Sequence, residues 1–159
     1  MKSSQFLDLL DLRQIDWKDG RAIWQTLQPL CYRSEHLGAT VRIPAELNTD
    51  LASVPRVALA YWLAGGRGTR SAVVHDFAYL WGYYYTTSGD KLYVTKADAD
   101  AVFYESLLAD PISGATGVVA WSMYLAVRAG GRGHWNDDGK RAAALNPVWS
   151  APEAVVSAP

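Results

Sequence analysis

The sequence predicts an α+β fold, with a small antiparallel sheet first and three or four helices after it. Three observations lead to this prediction. Residues 6–47 contain β-branched and aromatic side chains in partial alternation, which is typical of strands. The chain beyond residue 56 repeats apolar residues at helical spacing. Half of the 159 residues are hydrophobic, which is enough for the core of one ordinary domain.

The strands are expected in the segments AIWQTLQPLCYRS and GATVRIPAEL, at residues 22–34 and 38–47. Gly20 and Gly38 stand where turns would join two or three antiparallel strands. Pro29 and Pro44 interrupt the segments, which favours edge strands or strand ends because proline cannot donate to a ladder. The stretch NTDLASVPR, residues 48–56, is predicted to be a loop.

The first helices surround a glycine-rich break. Residues 56–64 predict a short helix, and GGRG at 65–68 ends it. Thr69 or Ser71 can then cap a helix that runs to about Tyr83. The following TTSGDKLYVT predicts a loop or a small hairpin.

Two more helices follow. Thr95 and Asp98 resemble a capping box for a helix over KADADAVFYESLLA, which Pro111 ends. A last helix is expected over about residues 115–129, before Gly130-Gly131. We expect one domain over residues 1–141 and a Pro/Ala-rich arm over 142–159, either frayed or ordered against a partner.

Composition excludes some classes of function. With 15 basic and 16 acidic side chains, the net charge of -1 argues against binding nucleic acid by bulk electrostatics. The single cysteine, Cys31, allows no intrachain disulfide, so folding in a reducing cytosol is the natural expectation. No apolar run reaches the roughly 20 residues that a membrane-spanning helix needs.

The stretch SAVVHDFAYLWGYYY places His75 and Asp76 inside an apolar run, where a charged pair is costly unless partners satisfy it. His75 and Tyr79 are four residues apart and share one helical face. Asp100 lies on the next long helix, and antiparallel packing of the two helices would bring it near His75.

This arrangement would be a catalytic dyad. An imidazole whose tautomer is fixed by Asp100 can act as a general base on water, and Tyr79 can fix that carboxylate. Asp76 could bind a hard cation such as Ca²⁺ that polarises a carbonyl; alternatively, Asp50 could supply a carboxylate for another metal. The alternative is structural, because a buried His–Asp contact can simply tie two helices together.

Four segments resemble an uncharacterised family of small proteins encoded by tailed phages and prophages. They are TDLASVPR, SAVVHDFAY, ADAVFYESL and YLAVRAGGRGHW, in that order. The resemblance implies a protein made in the bacterial host cytoplasm, associated with the virion or tail, whose partners are other phage structural proteins. It implies no established activity.

HDFAY followed by ADADAVF is similar to the helix pair of phospholipase A2 enzymes. This second resemblance implies His75 as base, Asp76 on calcium, Tyr79 as support and Asp100 as the orienting carboxylate. The likeness departs from that family upstream, where LASVPRVALA holds no glycine for a calcium loop. Two functions stay open: a hydrolase acting on membrane lipid or another envelope ester, and a non-catalytic tail component whose HDxxY motif is a helix staple.

Overall fold

The computed structural model describes residues 3–51, 68–112, 115–130 and Trp135, and these form an α+β fold as the sequence predicts. Eight strands and three helices lie in these ranges: β1 Gln5–Phe6, β2 Leu12–Lys18, β3 Arg21–Thr26, β4 Leu30–Ser34, β5 Ala39–Ile43, β6 Asn48–Thr49, α1 Thr69–Trp81, β7 Tyr83–Thr86, β8 Lys91–Tyr93, α2 Lys96–Ala109 and α3 Gly117–Gly130. The helix predicted over 56–64 and the arm over 142–159 lie outside the described residues.

The larger sheet has five antiparallel strands in the order β1-β4-β5-β7-β8. Burial alternates along its inner strand β4, as expected for a strand. Leu30, Tyr32 and Ser34 are buried, and the residues between them are less buried. The β7–β8 hairpin joins this sheet beside β5, although it follows α1 in the chain. The small hairpin that the sequence allowed at TTSGDKLYVT therefore adds two strands to the sheet.

The second sheet has the order β2-β3-β6. A two-residue turn joins β2 to β3, and its residues Asp19 and Gly20 have φ of 52° and 74°. Positive φ at both positions is what a type I′ hairpin turn requires. Six strands thus precede the first described helix, against the two or three expected, and β2 is the longest of the additional ones.

Helix α1 is the centre of the molecule, since every residue from Arg70 to Leu80 is buried. It begins after Gly68, which has a left-handed conformation and makes no side-chain cap, so the expected capping by Thr69 or Ser71 is wrong. It ends at Gly82, also left-handed, whose N–H bonds to the carbonyl of Ala78. Glycine at 82 accounts for the end of the helix two residues earlier than predicted.

Helix α2 begins with the predicted capping box: Thr95 and Asp98 each accept a bond from the other's backbone N–H. It packs against α1 on one side and α3 on another, and also contacts β1 and β4. The core is therefore shared by the helices and the larger sheet, and the contact between α1 and α2 lies inside it. None of the described helices is long and apolar enough to cross a membrane.

Candidate functional site

The contact between α1 and α2 brings His75 and Asp100 together, as helical spacing and antiparallel packing led us to expect. The His75 Nε2 atom lies 3.0 Å from Asp100 Oδ1. The Tyr79 hydroxyl donates to the same oxygen at 2.7 Å. The side chains of His75 and Asp100 are completely buried, and Tyr79 is nearly so. These three residues, the His75–Asp100–Tyr79 network, form a single hydrogen-bonded group between the two helices.

Aromatic rings hold the imidazole in place. The ring centroid of His75 lies 4.2 Å from that of Tyr79, one helical turn away, and 4.8 Å from that of Phe103 on α2. Close packing on both sides restricts the ring to the orientation that reaches Asp100. The apolar residues that make α1 and α2 pack together therefore also set the geometry of the network.

Two cations that the sequence-based reasoning missed contact the other oxygen of Asp100. Lys96 Nζ donates to Oδ2 at 2.7 Å, and Arg128 of α3 lies 3.4 Å from the same atom. Lys96 also donates to the carbonyl of Val127 at 3.1 Å, so it connects α2 to α3. The spacing of Lys96 and Asp100, four residues apart on one helix, could have predicted this pair. Arg128 lies in the segment YLAVRAGGRGHW, but the resemblance of that segment indicated no contact with Asp100.

These contacts fix the charges of the network. Burial would raise the pKa of the Asp100 carboxyl, but the hydrogen bonds from His75, Lys96 and Tyr79 outweigh it and lower the pKa to about 2. Burial lowers the pKa of the His75 imidazole below its ordinary value, against the opposing effect of Asp100. At neutral pH an ionised carboxylate therefore faces a neutral imidazole, and the proton on Nε2 points to Asp100.

Asp76 turns away from this network toward β6. Its Oδ2 accepts a hydrogen bond from the hydroxyl of Thr49, which in turn accepts one from the N–H of Leu51 at 3.0 Å. Asp76 and Thr49 are both completely buried. The sequence predicted Thr49 as a residue that bonds backbone amides locally, which agrees with the bond from Leu51, but it did not predict the contact with Asp76.

The structure places Asp50 beside Arg21 of β3, at 3.4 Å between Oδ2 and the guanidinium. In the described ranges, no group of three or more His, Cys, Asp or Glu side chains lies close enough together to hold a metal ion. The oxygen ligands predicted from Asp76 and Asp50 thus have protein partners here. Ca²⁺ binding stays a prediction from resemblance, and no chemical step is assigned to it.

The fold and site together define an α+β protein in which two buried helices share a His–Asp–Tyr network. The chain belongs to the family described as "Protein of unknown function (DUF1353)", whose profile matches residues 24–127. No curated protein and no solved structure matches it significantly. The family match confirms the prediction of a small domain-of-unknown-function family. It covers His75, Asp76, Tyr79 and Asp100, and it ends just before Arg128.

Proposed function

We propose that this protein is a hydrolase in which His75 is the general base, Asp100 orients it and Tyr79 holds Asp100. The observation that carries the proposal is the bond from His75 Nε2 to an ionised Asp100, with the Tyr79 hydroxyl on the same oxygen. Because Nε2 donates to the carboxylate, the lone pair of the neutral ring is on Nδ1. A neutral imidazole of fixed tautomer is the form that a general base needs.

In the proposed reaction, Nδ1 takes a proton from a water molecule while the water oxygen attacks an ester carbonyl. A tetrahedral intermediate forms, and the resulting imidazolium is stabilised by the charge of Asp100. The imidazolium then returns the proton to the leaving alcohol as the C–O bond breaks. Lys96 limits the basicity of the ring, because its charge lies against the same carboxylate.

The substrate class and setting come from the two resemblances. The four phage-type segments support a protein made in the host cytoplasm and carried in the virion or tail. The HDFAY and ADADAVF segments, similar to phospholipase A2, support an ester in membrane lipid or another component of the cell envelope. A phage particle must cross the cell envelope during infection, so an enzyme carried in that particle would meet this class of substrate.

The second candidate is a structural or assembly component of a phage tail, in which the HDxxY motif staples α1 to α2. The observation that favours it is burial: no surface of His75, Asp76 or Asp100 is exposed, and a base must reach its substrate. Lys96 and Arg128 also compensate Asp100 without any need for catalysis. In this candidate the partners are other phage structural proteins.

The experiment that separates the two combines activity with stability. Purified protein is assayed on phospholipid vesicles, cell-envelope extracts and a chromogenic ester, with Ca²⁺, Mg²⁺, Zn²⁺ or chelator. If the hydrolase proposal holds, His75→Ala lowers the rate by roughly 10²–10⁴-fold, the usual contribution of a general base. His36→Ala is the matched control, because His36 forms a His–Asp pair at 3.1 Å with Asp98 on the surface.

Lack of hydrolysis by the parent protein on all these substrates, with every ion tried, contradicts the hydrolase. The staple then predicts that His75→Ala lowers the midpoint of thermal unfolding and that deleting residues 142–159 blocks particle assembly. A His75→Ala variant as stable as the parent would contradict the staple, and normal assembly of the truncated chain would contradict the arm.

A further inference from the structure

Strand β2 is the open edge of the smaller sheet. Among the described elements, β3 is the only one with which β2 makes substantial contact. Every residue from Arg13 to Lys18 is exposed, including 65% of Trp17 and 42% of Ile15. The β2–β3 hairpin therefore extends its outer strand into solvent.

The other sheet edges in the described part of the chain are short. β1 and β6 have two residues each and β8 has three, whereas β2 has seven. Short edges are one of the ways in which proteins avoid pairing with other chains, and a long edge offers a row of backbone donors and acceptors. β2 is the described edge that is long enough to pair with another strand.

A bulge in β2 decides which side chains share a face. The pairing with β3 shifts by one residue between Gln14 and Asp16, so Leu12, Gln14 and Trp17 lie opposite Thr26, Trp24 and Ala22. These partners alternate along β3 and share one face, which puts Leu12 and Trp17 on the same side of the sheet. Arg13, Asp16 and Lys18 lie on the other side, opposite Gln25, Ile23 and Arg21.

We propose that β2 pairs antiparallel with β2 of a second copy of this chain, about a twofold axis between Gln14 and Ile15. In this register Arg13 of each copy lies opposite Asp16 of the other, and Leu12 lies opposite Trp17. In each of these pairs the two side chains lie on the same face of the extended sheet, because both copies of β2 contain the bulge. The same register sets Asp11 opposite Lys18, so each copy contributes two complementary charge pairs and one apolar contact.

Charge complementarity selects this register over its neighbour. A shift of two residues would set Arg13 opposite Lys18, and like charges directly opposite each other destabilise a strand pair. The charges on β2 could also protect a lone edge against pairing. The order of these charges favours pairing over protection. In two antiparallel copies, Asp11, Arg13, Asp16 and Lys18 each lie opposite a residue of the other sign, and protection of a lone edge does not require such an order.

The proposed dimer does not depend on the proposed function, because β2 contains no residue of the His75–Asp100–Tyr79 network. It also concerns this chain and not its family, since β2 lies before residue 24, where the family match begins. One pair of seven-residue strands is a small interface, so we expect a weak, concentration-dependent dimer with a dissociation constant on the order of 10–100 µM.

Sedimentation velocity of the full chain over a range of concentrations tests the proposal. Arg13→Glu and Asp16→Arg each place like charges opposite each other at two symmetric positions, and each should raise the dissociation constant roughly tenfold or more. The double variant R13E/D16R restores opposite charges and should restore dimerisation. Thr87→Glu, an exposed change in the turn of the other hairpin, should leave it unchanged.

Circular dichroism and the unfolding midpoint show whether each variant is folded, which is expected because both positions are exposed. A parent that stays monomeric at all concentrations overturns the proposal. A dimer that survives both single changes, or that the double variant fails to restore, also overturns it. Such a dimer would use another surface, for example the exposed apolar face of α3 at Val118, Trp121 and Leu125.

Discussion

A buried carboxylate lies near each end of helix α2, Asp100 within the helix and Asp110 directly after it, and α1 supplies a partner to both. At the C-terminal end, Asp110 receives the Arg70 guanidinium through Nε at 3.0 Å and through a second guanidinium nitrogen. Arg70 also donates to the carbonyl of Asp8 and lies 4.6 Å from the ring centroid of Phe6. Near the N-terminal end, Asp100 accepts hydrogen bonds from His75 and Tyr79.

The two regions connect the same helices with different chemistry. The Arg70 guanidinium makes two hydrogen bonds to the Asp110 carboxylate, and this ion pair holds the two helices together. Burial lowers the pKa of the His75 imidazole below its ordinary value, so this ring is neutral at neutral pH. Because the Arg70–Asp110 pair already holds α1 against α2, a second contact that was only structural would not need a histidine. The choice of His75 at the other end supports the hydrolase proposal.

The largest expected effect is on the purely structural pair. Arg70→Ala leaves the buried Asp110 without its cation, and removing one partner of a buried ion pair costs about 3–5 kcal/mol. Urea unfolding at neutral pH measures the loss, with Lys18→Ala on the exposed hairpin as a control that should change little. A loss below about 1 kcal/mol would mean that Arg70 is not a structural clamp.

The sequence predicted more of the candidate site than of the sheets. The i,i+4 spacing of His75 and Tyr79 and the capping box at Thr95 and Asp98 are local rules, so the two helices and the Asp100 contact could be anticipated. Lys96 obeys the same spacing and could have been included. The contacts of Thr49 and Arg128 could not, because each joins distant parts of the chain. The segments that contain them, TDLASVPR and YLAVRAGGRGHW, indicated a family but no contact.

Strand β2 lies in the strand-like region of residues 6–47 and before the turn predicted at Gly20, but its own bounds were not predicted. LRQIDWK is exposed on both faces, so no core selects alternate residues, and the bulge also breaks the period of two. The start of α1 was predicted wrongly because a local pattern was present but not used. Thr69 and Ser71 are residue types that commonly cap helices, yet neither caps this one. The helix instead begins after a left-handed Gly68, a conformation that propensity does not reveal.

The Tyr79 hydroxyl is expected to stabilise the fold by holding Asp100 in place. Tyr79→Phe removes one hydrogen bond to the ionised Asp100 and keeps the ring packing on His75, so about 1.5–3 kcal/mol of stability should be lost. Tyr85→Phe is a control, because its hydroxyl lies 3.2 Å from that of Tyr83, away from Asp100. If Tyr79→Phe keeps the stability of the parent, the hydroxyl contributes nothing to holding Asp100.

The pH dependence of stability isolates His75. Since its folded pKa lies below its unfolded value, the unfolded chain binds the extra proton first, and the stabilisation present above about pH 6.5 is lost as the pH falls below that value. The slope cannot exceed about 1.4 kcal/mol per pH unit for one proton. Asp100 adds a second loss at lower pH, between its ordinary pKa and about 2.

Urea unfolding at pH 7.5, 6.5 and 5.5 measures this slope in the parent and in His75→Gln, whose side chain does not titrate. We expect the variant to lose most of the slope between pH 6.5 and 5.5, whereas Arg70→Lys retains it. Equal slopes in the parent and His75→Gln would show that another group dominates acid destabilisation.

The smallest expected effect concerns Arg128, at the rim of the network. Its side chain is 42% exposed and lies 3.4 Å from Asp100, whereas Lys96 is closer and mostly buried. Solvent screens the exposed charge, so Arg128→Ala should cost no more than about 0.5 kcal/mol at moderate salt. Lys96→Met, which keeps an apolar stem of similar length, should cost several times more, because Asp100 loses its shortest bond to a cation. Comparable losses of stability from both changes would mean that Arg128 contributes as much as Lys96 to stabilising the Asp100 carboxylate. The boundary of the site would then extend beyond residue 127, where the family match ends.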